Sequence, residues 1–210
     1  MDQFGISVKG VLEVGGKLLL RRNERNEYEL LGGKLEKGDP SPEYRLIAEF
    51  REESGIEIEV SEQREPWLYE VGSRSIIIVP FVCKALHVPD VLTDADGGTL
   101  HWLRPQDVVT APMPQGYKDS IRGEIPHRSR SLAASSHFRI IPGYAEADYH
   151  VEISVWENGA RRLHAPLPRC HSPRDLIYDK LGTKNIALVP GPIGIDRARN
   201  TIMLNYRIQR

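Results

Sequence analysis

Cysteine is scarce in this chain of 210 residues, where Cys83 and Cys170 could form at most one bridge. A chain of this length buries enough surface to fold without a bridge, which separates it from the small disulfide-stapled scaffolds. Long apolar runs are also missing. The longest, Ser75–Val82, is interrupted by Pro80 and falls far short of the roughly 18 residues a membrane helix needs. The segment MDQFGISVKG has no basic region followed by an apolar stretch, so no secretory signal is expected and the expected location is cytoplasmic, with no membrane partner. Neither sign of charge dominates, the net charge being -1; with 40% hydrophobic and 27% charged residues, a disordered polyelectrolyte is excluded. Internal repeats, heptads and zinc-ligand spacings are absent, and Cys170 beside His171 is not by itself a metal site.

The near-zero net charge hides a contrast. Residues 1–120 carry a net −7 and residues 121–210 a net +6. Basic residues of the second part are arginines except for Lys180 and Lys184. Such a division suggests two units with different tasks. Arginine suits forked contacts with phosphate or carboxylate, although a basic surface that pairs with the acidic half is an equal reading.

The first part alternates strand-like and helix-like signals. Phe4–Val14 and Lys17–Arg22 read as a hairpin across Gly15–Gly16, and Tyr28–Leu31 as a short apolar segment. Ser41 followed by Pro42 reads as a helix cap and first turn, and Gly55 as the stop after Ser54. Ile56–Val60, Pro66–Val71, Ser75–Leu86 and Leu100–Leu103 look like strands; Pro105–Val109 and Tyr117–Arg122 look like short helices. The expected fold is an α/β/α sandwich with a mixed sheet over residues 1–123. The small, polar and basic segment HRSRSLAASS marks residues 124–136 as a linker or surface connection. Residues 137–210 read as a smaller, arginine-rich α+β unit. Its strands are His137–Ile141, Tyr149–Trp156, Arg161–His164, Ile186–Val189 and Thr201–Ile208. One helix opens at Ser172 and stops at Gly182, and PGPIGIDRARN is a loop.

Chemistry concentrates in GGKLEKGDPSPEYRLIAEFREESGI, residues 32–56. Glu49, Glu52 and Glu53 stand at i, i+3 and i+4, so their carboxylates share one helical face. Like charges so placed cost an isolated helix about 0.2–0.5 kcal/mol per pair, and a cation among the oxygens relieves that repulsion. Oxygen-only ligation selects a hard divalent ion, Mg²⁺ or Mn²⁺. Leu46, Ile47 and Phe50 on the other face would anchor the helix to the sheet. Ahead of it, Gly32, Gly33 and Gly38 allow a phosphate chain to come close, with Lys34 and Glu36 between them. A metal bridging phosphate oxygens there would lower the pKa of a bound water, and a glutamate left free could accept its proton. A glutamate-rich helix face or a double glycine, taken singly, is commonly no more than solvated surface or a turn; their fixed spacing carries the reading.

That spacing resembles the box of the Nudix hydrolase family. Gly33 opens it, Asp39 takes the first acidic position, and Glu49-Phe50-Arg51-Glu52-Glu53-Ser54-Gly55-Ile56 matches its second half. LLLRRNERNEYELLGG resembles the strand pair leading into the box, and LHWLRPQDV the tryptophan strand and short helix that follow, so the resemblance covers about residues 4–122. Three departures are visible: Ala48 replaces the box arginine, Leu31 replaces the proline before the double glycine, and nine residues rather than eight separate Asp39 from Glu49. Arg45, one turn before Glu49, could substitute for the missing arginine electrostatically. The resemblance implies Glu52 and Glu53 as principal metal ligands, Glu49 as ligand or base, and the Gly32 carbonyl as a further ligand. A distant loop carboxylate is also implied, with Asp94 and Asp96 as candidates beside their plainer reading as turn residues. Gly33, Lys34, Arg21 and Arg22 are the candidate substrate-binding residues. Tyr28, Trp67 and Tyr69 could stack a base or belong to the core.

The leading expectation is metal-dependent hydrolysis of a nucleoside diphosphate linked to another moiety, the partner being a nucleotide-like diphosphate. The alternative is a Nudix-fold ligand sensor or scaffold whose basic C-terminal unit binds nucleic acid or a protein. RNA could use a basic β surface carrying Tyr144, Tyr149, Trp156 and Tyr206, whereas no helix-turn-helix pair is visible. The C-terminal unit could also form a homodimer contact or a lid over the site.

Overall fold

The computed structural model describes residues 2–90, 92, 98–132 and 148–209. Its central strand is β1 (Gln3–Val14). β1 lies parallel to β6 (Arg74–His87) from Gly5 opposite Ile76 to Leu12 opposite Cys83. On its other side β6 pairs antiparallel with β4 (Glu57–Gln63) and β5 (Trp67–Val71). At its far end β1 turns through Gly15–Gly16 into β2 (Lys17–Arg22), which pairs with β3 (Tyr28–Glu29) and β7 (Thr99–Leu103). Helix α1 (Pro42–Ser54) covers one face. The short helices α2 (Pro105–Thr110) and α3 (Gln115–Arg122) cover the other. This is the α/β/α arrangement with a mixed sheet read from the sequence.

The local chemistry of α1 explains its placement. Ser41 accepts a hydrogen bond on Oγ from the Tyr44 amide at 3.1 Å, Pro42 fills the first turn, and Gly55 ends the helix at φ 69°. Leu46 and Phe50 are fully buried against β1 residues such as Val8 and Leu12. Two buried side chains one turn apart fix the helix rotation and aim the i−1 and i+3 flanks of Phe50 along the sheet.

Beyond the connection, β9 (Tyr149–Glu157) pairs antiparallel with β10 (Ala160–Pro166) and parallel with β13 (Thr201–Gln209). β13 in turn carries β11 (Ala187–Pro190) and β12 (Gly194–Asp196). Helix α4 (Pro173–Leu181), capped by Ser172 and Gly182, sends Leu176 and Ile177 into the core. The expected loop at residues 190–200 therefore holds the short strand β12, which Ile195 secures by pairing with Ile202.

The two parts share one sheet and one core. Phe4 of β1 pairs with Tyr149 of β9, and Phe4, Ile6 and Ile77 belong to the same buried cluster as Val151, Leu204 and Tyr206. Ser129–Arg130, inside the segment read as a linker, forms β8 on β5. Arg128 and Arg130 both donate from Nε to Glu70 at 2.8 Å, and Ser131 Oγ donates to Glu27 at 2.7 Å. Charge pairing, not apolar burial, docks this surface connection. The expected strand His137–Ile141 lies outside the described residues. Truncation after Gly123 is expected to give a fragment that does not melt cooperatively, because it uncovers Phe4, Ile6 and Ile77. A soluble 1–123 fragment with a sharp thermal transition would show that two units fold separately. Among the described residues no helix is long and apolar enough to cross a membrane.

Candidate active site

The segment from Leu31 to Leu35 lies against β1. Gly10 N–H donates to the Leu31 carbonyl, Val8 N–H to the Gly33 carbonyl and Leu35 N–H to the Ile6 carbonyl, each at 2.9 Å. Gly32 adopts φ 119°, and a Cβ there would sit 2.3 Å from the Val8 carbonyl oxygen. Gly33 has a different reason to be glycine: a Cβ would lie 2.1 Å from Glu49 Oε1. The box helix thus brings a carboxylate onto the glycine loop, and any larger residue at Gly33 would require the Glu49 side chain to shift.

Glu49 and Glu53 are 6% and 5% exposed, whereas Glu52 lies on the exposed side of the same turn. Glu53 accepts a hydrogen bond from Gly32 N–H at 3.0 Å. Three cations surround the pair. Lys9 is buried and donates from Nζ to the Gly32 carbonyl. Arg21 is buried with Nε 3.8 Å from Glu53 Oε1 and Nη1 3.2 Å from Glu29 Oε1. Arg45 forms an ion pair with Glu49 one turn along the helix. Burial raises the Glu53 carboxyl to about 7, opposed by Lys9, by the Gly32 hydrogen bond and by Arg21, and reinforced by Glu49. Burial likewise lifts Glu49 above the usual range against Arg45 and Lys9, with Glu52 adding to the rise. Glu29 is the opposite case: burial alone would raise it, but Lys9, Arg25 and Arg21 outweigh burial and hold it low.

The structure gathers Glu49, Glu53, Gly32 and Gly33 at one point and sets Glu52 at its rim. Lys34 lies half-buried on the loop, its ammonium disfavoured by burial and helped by Asp148 and Glu36. Arg21 faces carboxylates, not open solvent where a phosphate would arrive. Arg22 is exposed, with its guanidinium 6.0 Å from the Tyr28 ring centre, and lines a cleft of about 220 Å³ with Asn23, Glu24, Asn26 and Thr99. Asp39 is buried and accepts from the Glu36 amide at 2.7 Å, closing the loop on itself.

Trp67 and Tyr69 are core residues, not base-stacking platforms. Both are buried edge-on against Tyr117, at centroid distances of 5.1 and 5.7 Å. Tyr28 is half-buried and meets His101 edge-on. Tyr149 and Tyr206 are buried, so among the described residues the aromatic β surface expected for RNA retains only Trp156, which is 36% exposed. Asp94, Asp96 and Tyr144 lie outside the described residues. Lys9 and Glu29 were not anticipated as neighbours of the site. The available signal for Lys9 was a lysine between Val8 and Gly10 inside an otherwise apolar strand, a pattern that places a cation in the core and demands a partner.

Among the described residues no group of three His, Cys, Asp or Glu side chains converges as a ready-made metal cluster. The donor set nevertheless suits a hard dication. The buried Glu49 and Glu53 carboxylates lie at the glycine loop with the exposed Glu52 on the same helical turn, and the Gly32 carbonyl keeps one lone pair beyond the Lys9 contact.

The glutamate-bearing helix docked on a glycine loop, within an α/β/α sandwich, carries the sequence spacing that resembles the Nudix box. No protein-family model matches the chain. A MutT-like protein of Streptomyces ambofaciens is 34% identical over 128 residues, covering 58% of this chain and 80% of that protein. A CTP pyrophosphohydrolase of Escherichia coli (strain K12) is 32% identical over 114 residues, covering 50% of this chain and 80% of that protein. The fold is shared with a Nudix hydrolase from Nitrosomonas europaea, at a TM-score of 0.50, 16% identity, and coverage of 59% of this chain and 93% of that one. The chain belongs to the Nudix hydrolase family. It is an enzyme of the Nudix type, acting on phosphoric anhydride bonds.

Proposed function

We propose that the protein hydrolyses a nucleoside diphosphate linked to another moiety, in a reaction dependent on Mg²⁺ or Mn²⁺. The observation that carries this reading is the burial of Glu49 and Glu53 against Gly32–Gly33, with Glu52 on the same turn. Glu52 and Glu53 would be the principal ligands, Glu49 a ligand or the base, and the Gly32 carbonyl an additional donor. A divalent ion held there supplies charge neutralisation on the diphosphate and activation of the attacking water. Lys9 and Arg21 fix the Gly32 carbonyl and Glu53, so the acidic groups do not reorganise when substrate arrives. Glu49, raised by burial, suits the acceptance of a proton. Lys34 on the loop and Arg22 on the cleft beside Tyr28 would be the cations that meet phosphate oxygens. The E. coli relative is named for CTP, which makes nucleoside triphosphates the first substrates to test.

The sensor reading drew its support from Ala48 in the arginine position. The Arg45–Glu49 pair, one turn earlier, supports the reading that Arg45 stands in for that arginine. A phosphate-release screen over CTP, other nucleoside triphosphates, dinucleotides and nucleotide sugars, with Mg²⁺ or Mn²⁺, tests the proposal beside Glu52→Gln. Turnover by wild type and at least about a hundredfold loss in the variant is expected. Tight binding without turnover by wild type would sink it.

A further inference from the structure

Arg197 of the C-terminal part reaches the loop of the box. The turn between β12 and β13 is fastened to itself and to its neighbours. Asp196 accepts from the Arg199 amide at 3.1 Å and from its Nε at 2.6 Å; Asn200 N–H returns to the Arg197 carbonyl at 3.3 Å. Asn200 also donates from Nδ2 to the Asp148 carbonyl at 2.7 Å, and its own carbonyl takes the His150 amide at 3.0 Å. A turn held this way presents Arg197 in a fixed direction. From there Arg197 Nη2 donates to the Asp39 carbonyl at 2.6 Å and, at 3.4 Å, to that of Pro40. Those two carbonyls immediately precede Ser41, the cap of α1. A second C-terminal group adjoins the same loop: the Tyr149 ring is 2% exposed, and the field of Asp39 and Glu36 acts on its hydroxyl.

On the other side of the loop, the Asp39 carboxylate closes the turn on the Glu36 amide, and the charges of Asp39 and Glu36 both favour the Arg45 guanidinium. Arg45 in turn pairs with Glu49. From the two braced carbonyls the chain passes directly into Ser41, whose Oγ and carbonyl take the Tyr44 and Arg45 amides at 3.1 and 3.2 Å. Arg197 is thereby linked to the Arg45–Glu49 pair through the loop backbone and the first turn of α1. We propose that Arg197 is a positioning residue: it holds the loop ahead of α1, and through the Ser41 cap and Arg45 the Glu49 carboxylate, in working order. The C-terminal part then acts as an intramolecular brace for the box. This role for Glu49 rests on the hydrolase reading above, but the brace itself can be measured without catalysis. Charge-assisted hydrogen bonds to carbonyls at a loop–helix junction restrict local opening more than they raise global stability.

The test uses the full chain as wild type, Arg197→Ala, Arg197→Lys, Arg45→Ala and the Arg197→Ala/Arg45→Ala double variant. Amide hydrogen exchange of the metal-free proteins is followed at Asp39, Ser41, Tyr44 and Arg45. Arg197→Ala is expected to speed exchange at these amides about tenfold while β9 and β13 amides stay protected. Lysine, which keeps the charge and a donor, should restore most of that protection. In steady-state kinetics kcat should fall about tenfold with KM within about twofold, and the double variant should lose less than the product of the single losses. Unchanged exchange at the loop, or an equal rise across the C-terminal strands, would overturn the brace, as would strict additivity with Arg45. If wild type lacks turnover altogether, the hydrolase reading fails while the exchange arm still decides whether Arg197 holds the loop.

Discussion

Glu53→Gln should lower turnover by about 10³-fold, about 4 kcal/mol in the barrier, while making the metal-free protein more stable at pH 8. The two effects share one cause. Glu53 is buried beside Glu49, and its carboxyl titrates near 7 rather than at its ordinary 4.5. A carboxyl raised on folding contributes stability that is fully present below pH 4.5 and is lost as pH rises through about 7. Above that, the ionised side chain is a burden of about 3 kcal/mol by its raised titration, unless a cation offsets it. Glutamine keeps an acceptor for the Gly32 amide and removes the charge. Thermal unfolding without metal, at pH 5 and pH 8, with and without the substitution, checks the sign. The wild type should lose more stability than the variant between the two values. Adding Mg²⁺ or Mn²⁺ should raise the wild-type melting temperature and leave the variant nearly unmoved. Equal pH dependence in both proteins would show that Glu53 is ionised without penalty.

The second large effect lies away from the site. Arg174→Ala is expected to cost about 3–5 kcal/mol, roughly 10 °C in melting temperature for a chain of this size. Arg174 is 7% exposed, donates to Glu65 and to the Leu188 carbonyl, and meets the Tyr178 hydroxyl at 3.2 Å. Glu65, 7% exposed, also accepts from the Tyr206 hydroxyl at 3.0 Å. Burial already pushes the Glu65 carboxyl upward against the pull of Arg174 and Tyr206. Removing the guanidinium leaves a carboxylate in the core with one neutral donor. Replacing both partners by apolar residues, Arg174→Met with Glu65→Leu, should recover most of the loss, because no charge is then stranded. Circular-dichroism melts decide the matter; a double variant as unstable as Arg174→Ala would point to lost packing as the cause.

Much of the box was legible because its signals are local. Ser41, Pro42 and Gly55 mark the ends of α1 through backbone rules that hold wherever a helix sits, and Leu46 with Phe50 sets its buried side. The glutamate spacing followed from helical periodicity alone. Gly33 was legible for an incomplete reason: flexible backbone near phosphate was expected, and contact with the Glu49 carboxylate is what the structure adds. Arg21 was misplaced because sequence gives no direction for a strand-end guanidinium; its inward turn depends on Glu29 and Glu53, which come from two other elements. Arg197 was invisible for the same reason in stronger form, since its partners lie 158 residues away. Trp67 could be read either as a ring for stacking or as filling, and only its neighbours Tyr117 and Ser120 decide. Local rules survive in sequence; charge networks assembled across the chain do not.

The seam between β1 and β9 bears on biosynthesis. A ribosome releases Phe4 and Ile6 long before Tyr149, Val151 and Leu204, with which they are buried, have been made. β9 also needs β13, its parallel neighbour, translated later still. Pairings of such separation form slowly and leave a nascent sheet edge uncovered in the interval. Chaperone demand during translation should therefore fall only when β13 emerges, and a stall within residues 150–200 would leave an aggregation-prone intermediate whose box is already fully written.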